Sequence, residues 1–409
     1  MSTPRTALVV GAGIAGLTVA HQLAHRGVEV TVLEAERVGA GASHGNAGWV
    51  NPAQTGPFPE PGLMRDGLRH LRSPESASRI AARDYPRLLP WLLSLARHST
   101  ARRYERGVLA LAELGKRCFP LLDELADEDV EFRRVDAGLL AVAREADAVR
   151  AFRRAREPFR AAGFSVPETI LGADALHELE PALSTLVRHG VELRDHVQID
   201  PGAFVAALAA HLRGIGVRIE EGVTATRLGT RAEVATGAGR RHADVVVVAT
   251  GASTALIGRR FPLIGGRGYS FDVPAATALR RSVLLLDDHI ACAPLGDRLR
   301  IASGMDFGPS ARLSAQRLDP IARCASVMLD GIDWTDRQRE WSGQRPLTPD
   351  GLPIIDLLPG HAETYLVTGF SMLGMTLAAP AAEALTRYVI DGVRPPVLTP
   401  FRADRFRRR

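Results

Sequence analysis

"TALVVGAGIAGLTVAHQLAHRGVEVTVLEAE" runs from Thr6 to Glu36. Its first residues, Thr6 to Val10, are a short β-branched run ending in glycine, the pattern of a buried parallel strand. Residues 13–26 then read as a helix, with Ala15, Val19 and Leu23 on one face and Gly27 as its stop. Residues 28–33 form a second strand, which ends in Glu34. Between the strands, Gly11, Gly13 and Gly16 fit the spacing G-x-G-x-x-G. Gly11 permits a tight turn, Gly13 lets a pyrophosphate approach the backbone, and Gly16 lets helix and strand pack closely. The helix N-terminus supplies amides and partial positive charge for phosphates. Glu34 can accept hydrogen bonds from a ribose diol and would repel a 2′-phosphate. Strand, helix, strand and acid in this order favour a dinucleotide site over a merely structural glycine turn, and disfavour NADP. The motif by itself suits FAD and NAD equally.

The rest of the chain sets the scale. A length of 409 residues exceeds one average domain and suggests two. Hydrophobic residues make up 46% and charged residues 24%, ordinary globular values that argue against disorder. The net charge of +5 is small for this length, and only the terminal "FRADRFRRR" concentrates it. That tail reads as a solvated, frayed terminus. Without an interleaved aromatic–basic surface pattern, it gives little support to nucleic-acid binding. Lys116 is the only lysine, which argues against Schiff-base or lysine-nucleophile chemistry. Cys118, Cys292 and Cys324 are far apart and form no CxxC pair, so neither a disulfide framework nor a metal site is expected. This usage suits a reducing cytoplasm. No segment reads as a transmembrane helix; a peripheral contact with the inner membrane face stays open.

Residues 39–62, "GAGASHGNAGWVNPAQTGPFPEPG", form a loop longer than a plain connection, and such ordered loops tend to be functional. Residues 63–157 are mainly helical in pattern, with a strand at 138–143. Asp200 followed by Pro201 marks a helix start, because the carboxylate caps free amides and proline fits the first turn. A strand at 217–220 follows. "ADVVVVATGAS" is another buried strand, whose exit at Thr250 and Gly251 suits a place beside the cofactor and an ordinary strand end equally. Residues 263–330 suggest short strands and a helix near 314–329. A strand, glycine turn and helix close the fold. The scattered βα segments predict a discontinuous nucleotide-binding domain with a second domain inserted in two pieces.

One arginine stands out. Arg345 lies in "WSGQRPLTPDGLPIID", a segment of Gly, Pro and apolar residues. It suits either a surface ion pair or a clamp for a substrate carboxylate.

Taken in order, the N-terminal βαβ, "GASHGNAGW", "QIDPGAFVAAL", "VVVVATGA", "RGYS", "WSGQRPLTPDGLPIID" and "TGFSMLGMTLA" resemble the FAD-dependent amino acid oxidoreductases of the D-amino acid oxidase and glycine oxidase superfamily. The small-subunit type D-amino acid dehydrogenases look most similar. The resemblance covers the whole chain, most specifically at both ends, and is weakest over about 63–180. It implies non-covalent FAD. Ile14 and Ala15 would border the pyrophosphate, Glu34 and Ala35 the ribose, and Ser43, with His44 beside it, a phosphate. Asn46, Ala47, Gly48 and Trp49 would pass beside the flavin ring, and Val223 would pair through its backbone with adenine. The turn from Gly369 through Met372, Leu373, Gly374 and Met375 to Thr376 would aim a helix N-terminus at the flavin C2=O, where reduction develops negative charge. Arg345 would anchor the substrate carboxylate, as a planar guanidinium can hold both oxygens and fix Cα–H. Tyr269 would line the pocket or serve as a core residue. His44, His196 and His289 suit structural or surface roles better than catalysis, with His44, in the cofactor loop, the best exception.

Three departures matter. Similar D-amino acid dehydrogenases often carry histidine after the C-terminal "TG"; here Phe370, Ser371 and Met372 follow. The flavin-linking cysteine of sarcosine oxidase relatives corresponds to Gly343. The lysine that oxygen-reactive sarcosine oxidases use has no counterpart in 260–310, which tilts toward a dehydrogenase.

The sequence therefore predicts an α/β protein (α+β overall). Its Rossmann-like FAD domain comprises 1–62, 182–262 and 339–409, and its mixed-sheet substrate domain 63–181 and 263–338. The expected reaction is oxidative deamination of an amino acid, first a D-amino acid, with electrons passing to a quinone, carrier or O2. Oxidation of a secondary amino acid (hydroxyproline, sarcosine or an N-alkyl glycine) is the first alternative. A non-redox nucleotide-binding interaction protein is the second.

Overall fold

The computed structural model describes residues 4–62, 78–258, 261–274 and 279–406. Its first sheet has the strand order Arg218–Glu220, Glu29–Leu33, Thr6–Val10, Val245–Val248, Thr364–Thr368, Ile354–Leu357. All neighbours are parallel except the last pair. The parallel strands read as continuous apolar runs because both faces are covered. Ala7, Val9, Val245 and Val247 pack beneath helices Ile14–Ala24, Pro201–Gly214 and Gly374–Asp391. Leu8, Val10, Val246 and Val248 face the other way, into a core shared with a ribbon of strands Ala225–Leu228, Glu233–Thr236 and Gly239–His242.

The glycine fingerprint has separable parts. Gly11 has φ +108°, and a Cβ there would lie 2.6 Å from the Ala249 carbonyl oxygen. A Cβ on Gly16 would lie 1.9 Å from the Gly11 carbonyl oxygen, so helix and strand meet only because that side chain is missing. The expected cap also forms: Asp200 Oδ1 accepts from the Gly202 and Ala203 amides at 3.0 and 3.2 Å, an arrangement worth about 1 kcal/mol.

The second sheet is mixed and nine-stranded. Its order is Gln338–Leu347, Ile264–Pro274, Arg298–Phe307, Ile290–Pro294, Ser282–Leu285, Leu139–Ala143, His189–Leu193, Leu171–Gly172, with Ser78–Ile80 also beside Arg298–Phe307. The short strands expected over 263–330 are corrected here: two of them span 11 and 10 residues. Glycines 265, 266 and 268 disguise the longer one. Each accommodates a side chain from the neighbouring strand: a Cβ would lie 2.5 Å from Gln344, 2.5 Å from Leu347 and 2.2 Å from Arg345, respectively. A small sheet of Trp49–Val50, Val197–Ile199 and Arg134–Val135 adds a third unit.

Helices Tyr85–His98, Ala101–Gly115, Cys118–Asp127, Ala146–Arg154 and Glu157–Ala161 match the helical expectation. Residues 63–77 of that stretch lie outside the described residues. The C-terminal tail is not frayed as far as residue 406. Phe401 is fully buried, and Arg405 makes a two-pronged ion pair with Asp350 at 2.7 and 3.2 Å. Its last three residues lie outside the description. Among the described residues no helix is long and apolar enough to cross a membrane.

Candidate active site

Two helix N-termini meet at the carboxyl end of the first sheet. A Cβ on Gly374, which opens the last helix, would stand 3.8 Å from Ile14 Cγ2, at the start of the first helix. Each N-terminus presents about half a positive charge, so together they make a strong anion-binding place. Around them the backbone is bare. A Cβ on Gly13 would meet only Ser43 Oγ, at 3.2 Å, and one on Gly251 would meet nothing within 4 Å. Thr250 joins the same place, its amide 3.5 Å from the Cβ that Gly11 lacks. Met372, at the mouth of the last helix, is 57% exposed, unusual for so apolar a side chain.

The glycine-rich loop is pinned across this cleft. Ser43 Oγ accepts from the Ile14 amide at 3.0 Å. Asn46 donates to the Ala42 carbonyl and accepts from the Gly48 amide. The Ala47 carbonyl accepts from Gln198 Nε2 at 2.8 Å. Thr376 Oγ1 accepts from the Asn51 amide at 3.0 Å and donates to the Trp49 carbonyl, tying the loop to the last helix. Glu34, at the end of its strand, accepts from the Ala12 amide at 2.7 Å and the Glu36 amide at 3.0 Å. Ala35 beside it is exposed. Val223 is adjacent, but its amide is spent on the Glu34 carbonyl at 2.8 Å. Any backbone pairing with adenine therefore falls to the Val223 carbonyl alone.

Buried polar atoms of this region without a hydrogen-bond partner include Trp49 Nε1, Asn51 Oδ1, His196 Nε2 and Ser371 Oγ. An unsatisfied buried polar atom costs roughly 1–3 kcal/mol, so such a group points to a missing partner. His196 packs edge-on against Trp49 at 5.5 Å, and burial drives its pKa down to about 3. It is a neutral structural residue here.

The second sheet supplies the charged side. Strand Gln338–Leu347 crosses the loop, with the Trp341 ring lying where a Cβ on Gly45 would stand, 2.2 Å away. A Cβ on Gly343 would approach Ala42 Cα to 3.3 Å, and the Pro346 carbonyl accepts from the Ser371 amide at 2.9 Å. Arg345 lies between these contacts. It donates to the Gly304 carbonyl at 2.6 Å and lies over Gly268. Among the described residues no carboxylate makes an ion pair with it. Desolvation lowers its pKa to about 10, with Asp306 and Tyr269 opposing, and it stays cationic at neutral pH.

Tyr269 is 1% exposed and donates to Asp306 at 2.7 Å, while Asp306 also holds Arg317 at 2.7 Å. A phenol so buried and so engaged is held in the core by Asp306, the core placement that the sequence left open beside a pocket-lining one. One expectation needs correction: His44 turns outward. Its ring meets Gly202, and with Arg37, Gly39 and Val205 it lines a cavity of about 230 Å³ on the outer side of the loop. Phe370 is 5% exposed and packed in the helical core. The accessible residue after the "TG" is Met372, the turn being set by Gly369 at φ +83° and Ser371 at φ +53°.

Sequence reasoning missed the buried charges that hold the loop. Asp272 takes Arg300 at 2.8 Å and Arg298 at 2.7 Å; Arg300 donates to the His44 and Asn46 carbonyls, and Arg298 to Asp200. No local motif announces this chain of contacts, because its members come from three distant segments.

Comparison with known proteins agrees with this geometry. Residues 6–388 match the family described as FAD dependent oxidoreductase, DAO. A D-amino acid dehydrogenase of Cereibacter sphaeroides is 32% identical over 409 residues, covering 95% of this chain and 92% of that protein. D-amino acid dehydrogenase 2 of Pseudomonas aeruginosa is 32% identical over 417 residues, covering 95% of each. Glycine oxidase from Geobacillus kaustophilus superposes with a TM-score of 0.75 at 21% identity, covering 99% of both chains.

Proposed function

The chain belongs to the DAO family of FAD-dependent oxidoreductases, and from that premise we propose that it oxidises the Cα–N bond of a D-amino acid to a 2-oxo acid and ammonia. The observation that carries the reading is Arg345, a cationic guanidinium without a carboxylate partner among the described residues, on the strand that crosses the cofactor loop. Both D-amino acid dehydrogenase relatives align over nearly the whole chain, which supports the substrate class.

The residues present fit FAD. Gly11, Gly13, Ile14, Ala15 and Gly16 would take the pyrophosphate on the first helix, helped by Ser43. Glu34 would take the ribose, and Thr250 and Gly251 the inner wall. Asn46 to Trp49 and Met372 to Thr376 would flank the ring, giving Trp49 Nε1 and Ser371 Oγ the partners they lack. Gly343 offers no sulfur, so attachment is non-covalent. When bound, FAD supplies the two-electron acceptor for the hydride that leaves Cα.

The protein's own part is placement. Arg345 would hold both carboxylate oxygens, with one nitrogen braced by the Gly304 carbonyl, so Cα–H points one way. Its charge also disfavours a neighbouring ammonium and so favours the neutral amine whose lone pair forms the imine. Water hydrolyses the imine after release. No side-chain base is required for this sequence.

We assign the first sheet to cofactor and the second to substrate. Strands His189–Leu193 and Gln338–Leu347 are hydrogen-bonded in the second sheet, so we move the boundaries expected at 182 and 339 to follow them. The electron acceptor we take to be a quinone or carrier protein, and the location cytoplasmic with peripheral access to the inner membrane face. A visible spectrum recorded anaerobically tests the whole reading. Bleaching of the flavin band by D-amino acids supports it. Bleaching only by proline-like or N-alkyl substrates transfers the assignment to secondary amino acids, and no bleaching by any amine removes the amino acid assignment. Arg345→Ala should raise KM for any carboxylate substrate; an unchanged KM would sink the clamp.

A further inference from the structure

Behind the cofactor helix, away from Arg345, three histidines converge on one carboxylate. His21 and His25 stand one turn apart on helix Ile14–Ala24 and at its C-cap. His211 lies in the last turn of helix Pro201–Gly214, and Glu128 is the C-cap of helix Cys118–Asp127. Glu128 Oε2 is 2.7 Å from His21 Nε2, 3.1 Å from His25 Nε2 and 3.5 Å from His211 Nε2. All four donor atoms lie within 4.8 Å of one another.

We propose that His21, His25, His211 and Glu128 bind a divalent borderline metal ion, zinc in the first instance, as a staple joining three helices. Four arguments support it. Three imidazoles and a carboxylate are a donor set that zinc takes readily. Bonds of about 2.0–2.1 Å put the edges of a tetrahedron near 3.3 Å, so side-chain shifts of about 1 Å close the site. His211 Nε2 is buried without a hydrogen-bond partner and faces the cluster. Finally, three helix C-termini meet here, each carrying about half a negative charge. An anionic Glu128 among them is unfavourable unless a cation balances it.

The simpler reading is a set of histidines hydrogen-bonded to Glu128. It requires three N–H groups on one oxygen, and the 3.5 Å separation of His211 does not meet that need. His25 is exposed and provides the way in.

The test uses the untagged, flavin-loaded protein, stripped with a chelator and dialysed against buffered zinc. One zinc per chain is expected by elemental analysis, with a higher Tm than the stripped form. His25→Ala removes an exposed ligand and His211→Ala a half-buried one; each should weaken zinc binding at least about 10-fold, and the double variant should lose both the stoichiometric zinc and the Tm response. Glu128→Gln, which keeps the shape and loses the anion, should also weaken binding. Absence of zinc from the wild-type protein, or equal zinc content in wild type and double variant, overturns the site. Flavin content and substrate bleaching, read in the same samples, are unaffected by that outcome and report separately on the active site.

Discussion

Gly268→Ala is the sharpest probe of Arg345, because it moves the guanidinium without removing it. A Cβ at residue 268 would lie 2.2 Å from Arg345 Cζ and 2.2–2.3 Å from both terminal nitrogens. A relaxed contact needs about 3.5 Å, so the guanidinium must retreat by about 1.3 Å. Gly268 lies mid-strand with no positive φ, so alanine suits its backbone. The brace from the Gly304 carbonyl at 2.6 Å would be stretched or lost. A misplacement of about 1 Å in a positioning group costs roughly 100-fold, about 2.7 kcal/mol. The assay is kcat/KM for a D-amino acid, paired with the amine that lacks its carboxylate, at unchanged flavin content. The amino acid should lose about two orders of magnitude and the amine little. Equal loss for both would mean general damage. Activity within about threefold of wild type on the amino acid, against that expectation, would refute the placement of the clamp.

The remaining predictions concern cofactor, stability and loop. Glu34→Ala removes the acceptor for the Ala12 amide and the expected ribose partner; FAD affinity should fall roughly 10–100-fold, the loss of a charge-assisted hydrogen bond, measured by fluorescence of released flavin. Asp200 is raised by burial but lowered more by Arg298 and the Ala203 amide, so its folded pKa lies below the ordinary 3.8. Its stabilisation is then full above that value and lost as pH falls through the lower folded one; Asp200→Asn should flatten the acid limb of a Tm-versus-pH curve in that range. Asp272→Asn leaves Arg298 and Arg300 without their shared anion and should cost about 3–5 kcal/mol of stability, read by denaturant unfolding, with flavin retention reduced as well.

How much was legible follows from the range of each signal. Thr6–Val10, the Gly11/Gly13/Gly16 turn, Glu34 and the Asp200 cap announce themselves within a few residues, since strand, turn and cap are local physics. Arg345 stood out because a guanidinium in an apolar Gly/Pro setting is unusual. The ribbon at 225–242 stayed hidden because Gly239–His242 is exposed throughout and shows no alternation. Strand Ile264–Pro274 stayed hidden because its glycines fit cross-strand side chains, not their own neighbours. Tyr269 could not be assigned without Asp306, nor His44 without Gly202. The grouping of His21 and His25 with Glu128 and His211 could not be read, because the last two come from other helices.

The line Asp200–Arg298–Asp272–Arg300 suggests why the two sheets keep one relative position. Buried ion pairs rarely add net stability, since desolvation offsets much of their attraction. Their gain lies elsewhere: each member tolerates only one arrangement of its partners. Arg300 fixes the carbonyls of His44 and Asn46, on the cofactor loop, while Arg298 fixes the cap of the Pro201–Gly214 helix. Ser270 Oγ, donating to the Gly45 carbonyl at 2.6 Å, adds a third tie from the same strand as Gly268. On the proposed assignment, cofactor and carboxylate clamp belong to different sheets, so the distance between them would be only as constant as these ties. A core of apolar contacts would hold the sheets together but would let them slide. Directional, charge-assisted bonds to loop carbonyls do not permit sliding, and a hydride transfer requires that constancy.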